Sequence, residues 1–415
     1  MPDFTHDRGW CMKRARLPFR LIQMPQPVLV ILPSVLAAGA EVQAMLQIRE
    51  LQARGVSVSL MVLSRMVDEA VLAEARLPEA SICRLRNPAN TLGGAFLRHL
   101  WRDLPRAARF AQAQGARIVI AHLPPGHLFA RLLYLVCLAR GPRLRVIQYH
   151  HSVERKLNPA DTIGKRAFAV VNGTLARLAD HSHWHVSNAV ERDLAGGFTR
   201  RNAVLPNACE TGAAGDRAAA EALLNAIPGD PYIILFPGRL KSMKGHLMFL
   251  DAFARLCQAE GAGPEDLHLV IAGEGDQREA IEAAIGRHRL AAQVTLLGAV
   301  PHSALLGLNG RAELVVVPSL DEGFGNVAIE AIAQGALVLG SDAGGLAEVL
   351  RDGENALVFP AGDVEALTGQ LTEIWHHRAE PFIDAQAAQA DCAARFGLGP
   401  QMDRMIALLD VAGGD

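Results

Sequence analysis

The chain is short of the features that would put a protein in a bilayer, outside a cell or around a resident metal. No apolar run approaches the ~20 residues that a membrane span needs. The first 25 residues are basic and broken by proline, without the apolar centre of a signal peptide. They read as a loose extension, with Met12 or Met24 as alternative true starts. Six cysteines (Cys11, Cys83, Cys137, Cys209, Cys257 and Cys392) are scattered with no C-x-x-C pair and no metal-ligand spacing. Reduced thiols in a cytoplasmic protein are the expectation. No repeat of solenoid type is present either, which excludes a stacked array.

What is present is enough apolar material for large cores. At 415 residues, 50% hydrophobic and 20% charged, the chain has the size of about two ordinary domains and not the composition of a disordered one. The formal net charge of -2 hides an asymmetry: residues 1–208 hold 28 Lys and Arg against 14 Asp and Glu, and residues 209–415 hold 13 against 29. The balances are therefore +14 and -16, so one half is drawn to anionic surfaces that repel the other.

Short β-branched runs alternate with helical patterns. Strands are expected at 28–33, 56–63, 117–123, 145–150 and 183–187, then at 232–238, 267–273, 294–298, 313–319, 336–341 and 355–360. Continuous apolar strands separated by helices mean parallel sheets covered on both faces. The pattern stops once, in an Ala/Gly-rich stretch with Pro228 and Pro231. The expected fold is α/β, two facing Rossmann-like doubly wound domains, with ligands at the carboxyl ends of the strands. The expected boundaries are an extension at 1–25, a first domain at 26–207, a linker at 208–230, a second domain at 231–394 and a terminal helix at 395–415.

Chemistry concentrates in the second half. "PSLDEGFGNVAIEAIAQG" (318–335) carries Glu322 in a glycine turn and Glu330 on the helix that follows. Such a turn allows close ligand approach at Gly323 and Gly325 and opens a helix N-terminus that favours an anion. Glu322 and Glu330 can each accept hydrogen bonds from hydroxyls. "FPGRLKSMKGH" puts Arg239, beside Gly238, and Lys244 at the edge of the same sheet, a planar fork and a point charge suited to a diphosphate. "SDAGGLAEVL" adds a second glycine turn, whereas "IAGEGDQ" lacks the third glycine of a dinucleotide fingerprint. "HSHWH" places His181, His183 and His185 at alternate positions that would share one strand face, but no Cys or carboxylate completes a tetrahedral ligand set beside them in sequence, and no metal is expected.

The ordered series "GRLKSMKG", "VIAGEGDQ", "VTLLGAVPHSAL", "VVPSLDEGFGNVAIEAIAQG" and "SDAGGLAEVLRDGENALVFP" resembles the donor-binding domain of the retaining glycosyltransferases of family 4, from Phe236 to about Val358. The resemblance implies the GT-B fold and a nucleotide-sugar donor as substrate, with no cofactor. It implies that Arg239 and Lys244 hold the diphosphate, that Glu322 meets the donor sugar, and that Glu330 binds the ribose diol. The backbone of Gly323, Phe324, Gly325 and Asn326 would then lie near the phosphates, with no D-x-D metal motif at the site.

The first half resembles the same family more loosely. "LAAGAE" keeps Gly39 where the family has a Gly-Gly turn, with Ala38 before it. "VIQYHHS" offers the family's active-site histidine as His150, with His151 second. "HVSNAVERDL" matches a strand-to-helix turn, "VLPNACE" the interdomain segment with Ala208 for the usual glycine, and "ARFGLGPQMDRMIALL" the helix that crosses back onto the first domain. The rivals are a catalytically reduced nucleotide-sugar or glycan-binding protein of this fold and a sugar-nucleotide epimerase. Nucleic acid is not an expected partner, because the arginines are dispersed and no recognised module is present. The segment 95–110 mixes Phe96, Leu97, Leu100, Trp101 and Leu104 with Arg98, Arg102, Arg106 and Arg109. It reads as an ordinary packed helix or as a basic amphipathic one able to meet an anionic membrane. With the charge balance it favours a glycan or lipid-linked acceptor, and peripheral attachment at the inner face of the cytoplasmic membrane.

Overall fold

A computed structural model describes residues 26–140, 143–153, 161–194, 201–212 and 215–413; the extension expected at 1–25 lies outside them. The first sheet contains β1 (Val28–Leu32), β2 (Val58–Ser64), β3 (Ile82–Asn87), β4 (Ile118–His122), β5 (Arg145–His150), β6 (Asp180–His185) and β7 (Asn202–Val204), in the parallel order β3-β2-β1-β4-β5-β6-β7. Its helices are α1 (Gly39–Ala53), α2 (Glu69–Ala73), α3 (Gly94–Ala113), α4 (Leu123–Arg140), α5 (Ile163–Ala179) and α6 (Asn188–Leu194).

After α7 (Arg217–Leu224), which lies inside the stretch expected as a linker, a second parallel sheet begins. It contains β8 (Tyr232–Pro237), β9 (Leu267–Ala272), β10 (Val294–Gly298), β11 (Leu314–Val317), β12 (Leu337–Ser341) and β13 (Leu357–Phe359), ordered β10-β9-β8-β11-β12-β13. Its helices are α8 (His246–Glu260), α9 (Arg278–His288), α10 (His302–Asn309), α11 (Asn326–Ala333), α12 (Leu346–Val349) and α13 (Val364–His376), followed by α14 (Ala385–Phe396) and α15 (Leu398–Gly413).

All eleven expected strands form, and two more, β3 and β7, join the edges of the first sheet. In each sheet the strand order reverses beside the first strand, so β1/β4 and β8/β11 are the switch points where such sheets open a crevice. The two halves share apolar packing. One buried cluster runs from Leu32 and Val35 through Leu205 and Cys209 to Phe324 and Ile332, and on to Met402 and Met405 of α15. That last helix reaches back to α1, where the Arg54 guanidinium donates to Asp403 and to the Gly399 carbonyl.

The far face of the first sheet buries charge as well as carbon. Arg131 of α4 grips Asp180 through Nε (2.9 Å) and Nη2 (2.6 Å), and Gln148 Nε2 donates to the same carboxylate at 2.7 Å. Arg131 Nη1 also donates to Asn172 of α5 at 2.6 Å, so the pair is fully hydrogen-bonded where it is hidden from water. Removing one partner of such a pair costs ~3–5 kcal/mol, because the other is left as an unpaired buried charge.

Behind it lies a cluster of imidazoles. A register shift between β5 and β6 takes His181 out of alternation, so the three histidines of "HSHWH" do not share a face as the sequence suggests. His183 and His185 join His150 and His127 instead, with the His150 ring 5.5 Å from His183, 5.1 Å from His185 and 4.5 Å from His127. Burial first, with nearby charge adding to it, drops His183 and His185 to about 4 and holds His127 and His150 well below their ordinary value.

These rings are neutral when folded and titrate near ~6.5 when unfolded. Stability is therefore complete above that pH and lost as pH falls toward about 4. Urea midpoints measured between pH 7 and pH 4.5 should fall steeply, and His185→Phe should flatten the slope by about one proton. Identical pH profiles for the two proteins would refute the role given to the cluster.

Candidate active site

The turn between β11 and α11 is fixed by its neighbours. Leu320 N donates to the Met243 carbonyl at 2.7 Å, tying the turn to the short 3-10 segment Ser242–Lys244. Ser341 Oγ at the end of β12 donates to the Ser319 carbonyl at 2.6 Å. The second glycine turn then closes on the first: Gly345 N donates to the Glu322 carbonyl at 2.8 Å. A Cβ on Gly345 would lie 2.0 Å from the Gly323 carbonyl oxygen, so only glycine lets these two backbones meet.

This packing brings most of the second-half candidates to one sheet edge. Lys244 Nζ donates to the Glu322 carboxylate, and Ser319 Oγ donates to the same oxygen at 3.2 Å. Both charged groups are partly shielded, so without a ligand the site neutralises part of its own charge. Arg239 is exposed at the end of β8, next to Gly238, and makes no ion pair among the described residues. Across the cleft it faces Glu41 of α1, whose carboxyl is raised by burial and pulled back down by Ser34, which donates at 3.2 Å, and by the Arg239 charge.

α11 opens at Gly325, in the left-handed region at φ 106°, and no side chain caps its first turn. Phe324, expected near a ligand, turns its ring into the core 5.5 Å from Phe396, so only its backbone is available to the cleft. Glu330 sits on the second turn of α11, half-buried and without an ion pair among the described residues; burial pushes its carboxyl up to about 8.

The first domain completes the cleft with residues the sequence did not single out. Ser187 Oγ donates to the Gly323 carbonyl at 2.7 Å. Asn207 Nδ2 donates to Asn326 Oδ1 at 2.8 Å, and a Cβ on Gly39 would lie 2.9 Å from Asn326 Nδ2. Glu348 of α12 accepts from Asn188 N at 2.9 Å, Asn188 Nδ2 at 2.7 Å and Ala189 N at 2.7 Å. A carboxylate of one domain thereby serves the free N–H groups that begin α6 of the other.

One candidate is displaced. His150 points into the buried imidazole cluster behind the sheet, because period 2 along β5 puts it on the face of Gln148. His151 is the histidine at the glycine turn: a Cβ on Gly323 would lie 2.3 Å from its carbonyl oxygen. Its ring stacks 5.1 Å from His122, whose Nδ1 is 2.9 Å from His151 Nε2, and burial lowers it to about 3. It is therefore a neutral imidazole at neutral pH.

The arrangement offers one exposed cation, one cation paired with a carboxylate, an uncapped helix start and two carboxylates. It suits an elongated ligand with a doubly charged centre and hydroxyls at both ends. Residues 224–389 match the family Glycosyl transferases group 1. The D-inositol 3-phosphate glycosyltransferase of Nocardia farcinica is 38% identical over 149 residues, 35% of this chain and 32% of that protein. The chain spans less than half the length of the curated relatives it matches. Anabaena HepE, solved in complex with UDP and glucose, superposes with a TM-score of 0.76 at 18% identity, covering 93% of this chain and all of HepE. Sucrose-phosphate synthase of Thermosynechococcus elongatus gives 0.75 at 21% identity, covering 93% and 99%. At such identities the likeness establishes the fold, two facing parallel-sheet domains in the GT-B arrangement.

The unliganded geometry separates the two cations. Lys244→Ala strips the half-buried Glu322 of its counter-ion and should cost ~1–3 kcal/mol of stability in urea titrations. Arg239→Ala removes an exposed, unpaired charge and should change stability by less than ~0.5 kcal/mol. The reverse order would contradict the pairing.

Proposed function

We propose, on the premise that residues 224–389 are a domain of the glycosyl transferases group 1 family, that the whole chain is a retaining glycosyltransferase. In this reading it moves a hexosyl unit from a UDP- or GDP-sugar to an acceptor hydroxyl, on a glycan or a lipid-linked intermediate of a cell-surface polysaccharide. The observation that carries the reading is the convergence of Arg239, Lys244, Glu322 and the start of α11 at one sheet edge, facing Gly39 and His151 across the cleft. The names and contents of the similar proteins, HepE with UDP among them, support a nucleotide-sugar donor.

In the reaction the bond between the sugar C1 and the diphosphate oxygen breaks as the acceptor oxygen bonds to C1 from the same face. The acceptor proton passes to the departing phosphate oxygen. Arg239 and Lys244, with the N–H groups of α11, stabilise the charge that develops on the leaving group. Lys244 must exchange Glu322 for phosphate, and that exchange frees the Glu322 carboxylate for the sugar hydroxyls. In this reading the histidine at the sugar end of the cleft is His151, whose carbonyl meets the Gly323 turn, and not His150. Arg239 and Lys244 supply, in this reading, the charge that a divalent ion supplies elsewhere, so the reaction is assigned neither a metal nor a cofactor. The enzyme would work in the cytoplasm, and the exposed arginines of α3 favour an acceptor held at an anionic membrane.

Release of nucleoside diphosphate from a panel of sugar nucleotides tests the reading. Arg239→Ala and Lys244→Ala should each lose ~2–4 kcal/mol of transition-state stabilisation, a fall of at least 30-fold in turnover. Wild-type turnover in both variants would remove the diphosphate assignment. Binding without turnover of any donor would favour the rival, a glycan or nucleotide-sugar binding protein.

Glu330 gives a second test. Its carboxyl is raised in the free protein, so ribose binding as the carboxylate must release a proton below about pH 8. Affinity for UDP should rise between pH 6.5 and 8 and then level off, with a steeper slope in the wild type than in Glu330→Gln. Equal slopes by calorimetry would show that this carboxylate does not meet the ribose.

A further inference from the structure

The first domain carries an apolar surface that no part of the described chain covers. α5 is apolar on two sides. Phe168, Leu175, Ala176 and Ala179 pack toward the sheet. On the other side Ile163 (86% exposed), Val170 (70%), Val171 (58%) and Leu178 (60%) form a stripe at helical spacing. Single exposed aliphatics are ordinary, but four along one helix mark a contact surface. α4, which packs against both α5 and α3, adds exposed Val136 and Leu138, and α3 adds Trp101 at 76% exposure.

Charge decides what the surface meets. Between Ile163 and Ala179 the chain has Lys165, Arg166 and Arg177 and no acidic residue; between Gly94 and Ala113 it has four arginines and one aspartate, Asp103. A second copy meeting this face through itself would oppose cation to cation with almost no acid to neutralise them. An anionic bilayer supplies what both kinds of side chain need, since aliphatic groups and Trp enter the acyl boundary while Lys and Arg meet the headgroups.

We propose that the α5 stripe, flanked by the arginine face of α3, docks the first domain on an anionic membrane. In the parallel crossovers the first turn of α5 lies at the carboxyl edge of the sheet, the edge that faces the second domain. Docking by this face sets the mouth of the cleft at headgroup level, where a lipid-linked acceptor hydroxyl enters. That consequence rests on the acceptor proposed above; the docking face rests on exposure and charge alone.

Co-sedimentation of the full chain with vesicles of phosphatidylcholine, with and without phosphatidylglycerol as the anionic lipid, tests it. The wild type should bind only the anionic vesicles and release as salt rises. Ile163→Asp with Val170→Asp should lower partitioning at least tenfold (roughly 1.4 kcal/mol), and Arg102→Ser with Arg106→Ser should weaken binding to the anionic vesicles and shift release to lower salt. UDP-induced thermal shifts should be unchanged in all variants, so failure of docking is distinguishable from failure of the donor site. Equal binding by the wild type and the aspartate variant would overturn the proposal. So would a wild type that ignores anionic vesicles at low salt, or one that is a dimer which the aspartates dissociate.

Discussion

Everything at the cleft depends on backbone meeting backbone without Cβ atoms between. The Gly323 carbonyl occupies the place a Cβ on Gly345 would take, and the His151 carbonyl that of a Cβ on Gly323. Three segments from two domains are thus stacked main chain on main chain, at a spacing that side chains would prevent. With the turn so placed, Ser187 reaches the Gly323 carbonyl and Glu348 reaches the start of α6. The domain contact and the shape of the site are one structure.

Electrostatics follow from that geometry. The acidic half of the chain concentrates its useful cations at its one strand edge, where Lys244 is held in reserve by Glu322 and Arg239 is open. Arg239 is felt by the buried Glu41 of the first domain but makes no ion pair with it, so a ligand anion would enter a site whose positive charge is poised but not spent. Elsewhere the first domain holds its polar burdens away from the cleft: Arg131 and Asp180 satisfy one another, and the imidazoles around His150 stay neutral.

Much of this was legible in the residues. Apolar strands such as "VLVIL" and "LVVV" are buried on both faces and announce themselves. β3, "ICRLRN", was not seen, because an edge strand buried on one side alternates with arginine; β7 has only three residues. The choice between His150 and His151 turned on strand parity, and the misassignment of "HSHWH" on a register shift that no local pattern reveals. Glu41, Ser187, Asn207 and the partners of Glu348 were hidden because their contacts join residues far apart in the sequence. Phe324 read as part of the ligand turn through its backbone, and where its ring goes was not legible, because only the position of Phe396 on α14 decides that.

The most direct test is a crystal structure of the chain with UDP or a UDP-sugar in the cleft. The account requires the diphosphate between Arg239 and the start of α11, with Lys244 moved from Glu322 onto phosphate and Glu330 on the ribose hydroxyls. A nucleotide bound elsewhere, or one that leaves the Lys244–Glu322 pair intact with Arg239 facing solvent, would contradict it.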